Sequence, residues 1–213
     1  MERTSGVPLD WLIEPNDTVR AFQVAARARA VIGQCAAAKF MPSRWVEVGV
    51  WDAAFSCAVA AAAKSDIEGA GMTWTPRIWL ADTWREPARD SEYWKSGDET
   101  ARVGQAKLDA VYAKAQENAR AIGGRILRAD SVSCAAIVVT AEFVFIDADH
   151  SEYGVARDIR AWWPRVVRGG FLCGHDWGLY GVKAAVEKWL PEIGRAAGDV
   201  ALDEDATWFL RKS

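Results

Sequence analysis

The chain has 213 residues, a formal net charge of −3 and 51% hydrophobic residues. That length and apolar content suit one α/β domain with a buried core and leave too little for two. The balance of charge shows no basic stripe of the kind nucleic acids require, and the Ala-rich run Cys57 to Ala63 is too short to span a bilayer.

Met1 to Asn16 is polar and mixed, without the apolar stretch of a signal peptide. Cys35, Cys57, Cys134 and Cys173 are scattered, with neither a C-x-x-C pair nor zinc spacing. They read as small buried apolar residues in a reducing compartment, so the expected location is cytoplasmic. Asp17 to Phe40 reads as a helix with Asp17 as N-cap and Val19, Phe22, Val24, Ala25 and Ile32 as its apolar stripe. It forms a helical cap over 1–44, ahead of a core over 45–213 in a single domain.

Trp45 to Trp51 is the first strand, Phe55 to Lys64 an Ala-rich helix, and Gly69-Ala70-Gly71 a turn. Arg77 to Ala81 is the second strand, ending at Asp82-Thr83-Trp84. Arg85 to Gly104 is charged, lacks a clean period and is long for a connection, which marks it as a functional loop or lid. Gln105 to Ile122 is a helix closed by Gly123-Gly124, and Arg125 to Ala129 is the third strand. Ser133 to Thr140 is a short helix or turn, and Phe143 to Ile146 the fourth strand. Glu152 to Trp163 is a helix stopped by Pro164; Gly169-Gly170 then turns into a fifth strand, Phe171 to Gly174. Trp177 to Gly181 is a loop, and Val182 to Leu190 a helix stopped by Pro191. Val200 to Leu202 and Thr207 to Arg211 make a terminal hairpin. Strands alternating with helices imply a parallel sheet covered on both faces.

The chemistry gathers at strand ends, where a parallel sheet opens its ligand crevice. Glu47-x-Gly49 follows the first strand and precedes a helix, whose N-terminus favours an anionic group. No G-x-G-x-x-G follows, so a smaller ligand with a carboxylate fits better than a dinucleotide. Asp82 stands where such folds place an acid on ribose hydroxyls. Asp130-Ser131 could meet the exocyclic amine of a base, or simply cap the next helix. Asp147-x-Asp149-His150 is the strongest cluster. Asp147 with Asp176 could hold a hard divalent cation, and Asp149, His150 or His175 could act as general base. His150 and His175 are the only histidines of the chain, and both fall at strand ends. Among the 12 Trp residues, Trp51, Trp84 and Trp177 lie near strand tips, where a ring could stack on a ligand.

In order, Val46-Glu47-Val48-Gly49-Val50-Trp51, Asp82-Thr83-Trp84, Asp130-Ser131, Phe143 to Ser151, Gly169-Gly170 and Gly174-His175-Asp176 resemble the class I S-adenosylmethionine-dependent methyltransferases. The likeness is to a small bacterial and phage group with a D-A-D/S-H strand and a G-G-x-x-x-G-H-D strand, and it covers about Trp45 to Leu190. It implies a doubly wound, Rossmann-like α/β fold with a seven-stranded, mostly parallel sheet and a C-terminal antiparallel hairpin. It implies that the Glu47–Gly49 turn faces the methionine part of the cofactor with Ser56 nearby. Asp82 would bind the ribose, Trp84 would flank it, and Asp130 and Ser131 would sit near adenine, with Asp147 also beside the cofactor. Related metal-dependent O-methyltransferases hold magnesium with acids at the fourth and fifth strand ends; the matching positions are Asp147 and Asp176, with His175 beside them. Asp149 matches the base of the sugar enzymes. Ala53 and Ala54 stand where the family carries glycines, and His175 where metal-dependent relatives carry another acid.

The expected activity is methyl transfer to a hydroxyl of a small polar acceptor, with Mg2+ as a candidate second cofactor. A metal-dependent glycosyltransferase would explain Asp147-x-Asp149 but neither Glu47-x-Gly49 nor Asp82. A non-catalytic cofactor-binding module of the same fold is the third reading. Expected partners are a small-molecule acceptor and no nucleic acid or membrane, while the N-terminal helix could cover the site or form a homodimer.

Overall fold

A computed structural model describes residues 17–69 and 74–213. Residues 70–71 of the expected turn at Gly69-Ala70-Gly71, and the stretch Met1 to Asn16, lie outside the described residues. In chain order the elements are α1 (Asp17–Ala37), β1 (Arg44–Val48), α2 (Ala54–Gly69), β2 (Arg77–Asp82), α3 (Glu92–Lys95), α4 (Gln105–Ala121) and β3 (Arg125–Arg128). There follow α5 (Ser131–Ile137), β4 (Ala141–Ile146), α6 (Glu152–Trp162), β5 (Val166–Gly174), α7 (Val182–Trp189), β6 (Ala201–Leu202) and β7 (Trp208–Arg211).

The seven strands form one sheet in the order β3-β2-β1-β4-β5-β7-β6. β1 to β5 run parallel, β7 pairs antiparallel with β5, and β6 antiparallel with β7. The winding direction reverses between β1 and β4, so the crevice opens at the C-terminal ends of those two strands.

Period-two alternation divides the core. Trp45, Phe143, Phe145, Phe171, Cys173 and Phe209 pack on one face against buried residues of α1, α2 and α4. Val46, Val48, Val144, Ile146, Leu172 and Leu210 pack on the other, against α5, α6 and α7. Trp45 stacks on Phe143 at 4.3 Å between centroids, and Phe55 of α2 packs on Phe145 at the same 4.3 Å. These rings seal the first face directly beneath the strand ends.

Several elements differ from the sequence reading. β1 ends at Val48, because Gly49 turns to φ +81° and the next two amides leave the sheet. β5 starts at Val166 and runs through Gly169-Gly170, which the sequence suggested as a turn. Gly169 (φ +84°) and a register shift against β4 form a bulge there, while Lys212 keeps the backbone paired on the other side. α5 starts at Ser131 because Asp130 caps it, accepting from the Ser133 amide at 3.1 Å. Val19 and Phe22 are exposed; the buried stripe of α1 is Ala28, Val31, Ile32 and Cys35. The 85–104 segment holds α3 and a short 3-10 turn at Glu99–Arg102. No helix among the described residues is long and apolar enough to cross a membrane.

Candidate active site

The turn after β1 is built around two groups. A Cβ on Gly49 would overlap the Asp147 carbonyl, so only glycine fits where β1 meets β4. Asp82 then ties the turn down: its Oδ2 accepts from the Val50 and Trp51 amides at 2.9 and 3.1 Å, and its Oδ1 from the Trp84 amide at 2.9 Å. Burial raises the Asp82 pKa, and these three amides only partly offset it. Trp51 (φ +53°), Ala53 (φ +63°) and Trp84 (φ +44°) all sit in the left-handed region, so backbone strain is concentrated on this rim. At Ala53, where the resemblance leads one to expect glycine, the chain adopts a conformation that glycine takes most easily.

Strand parity places Glu47 with Trp45 on the α2 side. There its carboxyl accepts a hydrogen bond from the Ser56 hydroxyl, which in turn accepts from Trp45 Nε1 at 3.2 Å. Burial pushes the Glu47 pKa up to about 8 against the opposing Ser56 bond, so near neutral pH this acid holds a proton. Ser56 is buried and reaches the cleft only through Glu47.

The same parity sends Asp147, after Phe143 and Phe145, and His175, after Phe171 and Cys173, toward α1. Arg27 of α1 meets both: Nη1 lies 2.8 Å from Asp147 Oδ2 and Nη2 3.0 Å from His175 Nε2. Its Nε lies 3.3 Å from Asp205 Oδ2, on the β6–β7 hairpin. His150 Nε2 lies 3.1 Å from Asp147 Oδ1 and 3.3 Å from Asp176 Oδ2, and its Nδ1 lies 2.7 Å from Asp98 Oδ2. Burial pushes the Asp147 carboxyl up, but the Arg27 charge and the His150 bond bring it well below the ordinary carboxylate range. For His150 burial lowers the pKa, and the Asp147 and Asp98 bonds reverse this to about 10. At neutral pH His150 is therefore an imidazolium with no lone pair to offer.

His175 is different. A guanidinium only donates, so its contact with Nε2 requires the lone pair there. The ring proton then sits on Nδ1, where Asp176 Oδ1 accepts it at 2.9 Å. Burial lowers the His175 pKa, while the Asp176 bond and the Asp147 charge raise it further, for a net rise. Asp149 spends its Oδ1 on the Ser151 amide at 2.9 Å and its side chain lies against Gly154, at the start of α6.

Asp130 and Ser131 border the cleft but have structural partners. Asp130 caps α5 through Ser133, and Ser131 accepts from Trp162 Nε1 at 2.8 Å. Trp84 is 1% exposed, packs on Tyr112 and donates Nε1 to the Trp51 carbonyl at 2.7 Å. It shapes the wall rather than presenting a free ring face. Asp147, His175 and Asp176 could each offer a cation one atom, all within 4.8 Å of one another. Arg27 and the His150 imidazolium already hold the two oxygens of Asp147, however, and both nitrogens of His175 have partners, so the set as arranged meets a divalent ion with positive charge and does not fit one.

Three members of this cluster escaped the sequence reading: Arg27, Asp98 and Asp205. Asp98 was detectable as a cap, since its carboxylate accepts from the Thr100 amide at 2.9 Å. Arg27 lies on the polar flank of the helix stripe, and nothing local distinguishes it from Arg20 or Arg29.

Glu47, Gly49, Asp82 and the Asp147–His150 and His175–Asp176 groups all line one cleft of about 760 Å³, within the range of small-ligand sites. Arg20 and Arg27 of α1 form one wall, and Tyr93 and Thr100 of the 85–104 segment another.

A family profile described as a methyltransferase domain matches residues 46–177. No curated protein matches the chain. Among solved structures, the O-methyltransferase NovP is 17% identical, with 91% of this chain and 80% of that chain covered and a TM-score of 0.58. The calicheamicin methyltransferase CalS11 is 14% identical over 98% of this chain and 87% of that one, with a TM-score of 0.56. The O-methyltransferase TomG from Streptomyces achromogenes, solved with S-adenosylmethionine, is 11% identical over 94% and 91%, with a TM-score of 0.54. At these identities the structural likeness is one of fold.

Proposed function

The chain belongs to the methyltransferase-domain family and is an S-adenosylmethionine-dependent methyltransferase of the class I fold, and on that premise we propose that it methylates a hydroxyl of a small polar acceptor with His175 as the base. The observation that carries this reading is the His175 imidazole on the cleft wall, held at Nδ1 by Asp176 and with Nε2 against Arg27 Nη2. An oxygen nucleophile must lose its proton as it attacks, and a neutral imidazole anchored by a carboxylate suits that task. The acceptor hydroxyl takes the Nε2 lone pair over from Arg27 Nη2, while Nη1 keeps Asp147. Bound S-adenosylmethionine would supply the methyl group, its sulfur keeping the bonding pair as the acceptor oxygen takes the methyl, and His175 Nε2 would take the hydroxyl proton. Most of the acceleration comes from holding the two reactants in line.

Cofactor contacts are proposed for the Glu47–Gly49 turn, Asp130 and Ser131, while Asp82, with Trp84, acts chiefly by fixing the turn that the cofactor meets. Asp149, hydrogen-bonded to the α6 amide, is the second choice of base. α1 serves as a cap over the 45–213 core, consistent with its forming a wall of the cleft.

The test is a panel of hydroxylated small molecules scored by release of S-adenosylhomocysteine, followed by His175→Ala with product affinity measured in parallel. His175→Ala should lose about 10²–10⁴-fold in turnover and keep its affinity. Wild-type activity should rise with pH through a value above the ordinary histidine pKa of about 6.5, and Asp176→Asn should move that midpoint down. Full activity of His175→Ala on a hydroxyl acceptor refutes the assignment; an enzyme that accepts only amines or carbon acids refutes the O-methyl reading.

A further inference from the structure

α1 enters the cleft with two arginines, and each lands on an acid. Arg20 forms a two-pronged pair with Asp52, both bonds 2.6 Å, in the turn that opens α2. Arg27, two helical turns on, carries the deeper charge. Its three nitrogens reach Asp147, His175 and Asp205 at 2.8, 3.0 and 3.3 Å. The guanidinium also lies over the Phe55 ring, 6.0 Å from its centroid, and the side chain is 16% exposed. It is thus packed into the site.

Asp147, His175 and Asp176 are the group of donors among the described residues whose atoms converge closely enough for a metal ion. Arg27 sits on two of the three. A small hard cation requires oxygen or nitrogen lone pairs at about 2.0–2.1 Å in near-octahedral array. Here Asp147 Oδ2 and His175 Nε2 point theirs at N–H groups, and Asp147 Oδ1 faces His150 Nε2.

We propose that Arg27 is the built-in cation of this site: it charges the acid cluster from α1 and excludes a divalent cation for as long as α1 is in place. Arg20 on Asp52 fixes the helix so that Arg27 stays at that depth. Asp147 and His175, two of the three groups that would ligate an ion, hold α1 instead, so the helix in this position and a bound metal are mutually exclusive. The proposal concerns the cluster itself and holds whichever acceptor is methylated.

The experiment is a titration of the full chain with Mn2+ at neutral pH, followed by electron paramagnetic resonance. Binding of S-adenosylhomocysteine and the thermal melt of each protein are recorded in parallel. The wild type should show no saturable site below millimolar Mn2+, and neither chelator nor Mn2+ should move its melt. Arg27→Ala should acquire one site at least about 100-fold tighter, the scale of removing one competing unit charge in a partly buried setting. Arg27→Ala combined with Asp147→Asn should lose it, and Arg27→Lys, which keeps the charge, should remain refractory. If Arg27→Ala does not fold, Arg27→Gln takes its place, with the same gain expected. A wild type that binds Mn2+ as tightly as the charge-free variant, with loss on Asp147→Asn, overturns the proposal. So does a folded charge-free variant that gains no affinity. A wild type that fails to bind S-adenosylhomocysteine would count against the cofactor site and leave the metal titration readable on its own.

Discussion

Asp82 stands at a position where an acid is expected to hold a ribose, yet its carboxylate is engaged by the protein itself. Three backbone amides, from Val50, Trp51 and Trp84, donate to it at 2.9, 3.1 and 2.9 Å. Asp82→Ala therefore strands three donors in two adjacent turns. Each bond to a charged acceptor is worth about 1.5–3 kcal/mol. The turns would relax and let water reach some of the freed amides, so the full sum is not expected. About 3–5 kcal/mol is the expected loss, the scale for breaking a buried charged network by removing one partner. For a chain of this size that corresponds to a fall of roughly 6–20 °C in melting temperature. Urea unfolding followed by circular dichroism gives the stability, and calorimetry with S-adenosylhomocysteine gives the affinity. Asp82→Asn should fall between, because its oxygen still accepts while its NH2 faces an amide donor. The reasoning is refuted if Asp82→Ala unfolds within about 0.5 kcal/mol of the wild type, the range of surface substitutions, while its cofactor affinity collapses. Asp82 would then be a ligand contact and nothing more.

Two further predictions concern pH. The Glu47 pKa is raised by burial to about 8, so the folded state keeps a proton that the unfolded chain releases near the ordinary glutamate value of 4.5. Stability should fall as pH rises between those values, and Glu47→Gln should flatten that part of a urea-derived stability profile. Burial lowers the His150 pKa, but bonds to Asp147 and Asp98 raise it to about 10, above the unfolded 6.5. This contribution is complete below the unfolded value and is lost as pH climbs toward 10, so Asp98→Asn should flatten the alkaline part of the same profile. Wild-type stability that increases steadily from pH 5 to 9 contradicts both assignments.

How much of this was legible in the sequence depends on the range of the interaction. The alternation of strands and helices and the terminal hairpin follow from local periods and turns. Even the direction of the site residues was available: Asp147 shares parity with Phe143 and Phe145, and His175 with Phe171 and Cys173, so both had to leave the sheet on one side. Parity also carried Glu47 to the side of α2, where Ser56 waits. The Gly169-Gly170 pair misled because glycines read as a turn, whereas the pairing of Gly169 and Gly170 with Lys212 holds them in the sheet as a bulge. Arg27 and Asp98 were hidden for a different reason. Each acts on a partner far along the chain, 120 residues away for Arg27 and Asp147 and 52 for Asp98 and His150. Their own neighbourhoods are ordinary helix flank and ordinary charged loop. An acid at a strand end advertises itself because the apolar run before it has no other reason to stop. The cation that answers it can come from any element packed on that face, which is why the acids of this site could be read along the chain and Arg27 only across it.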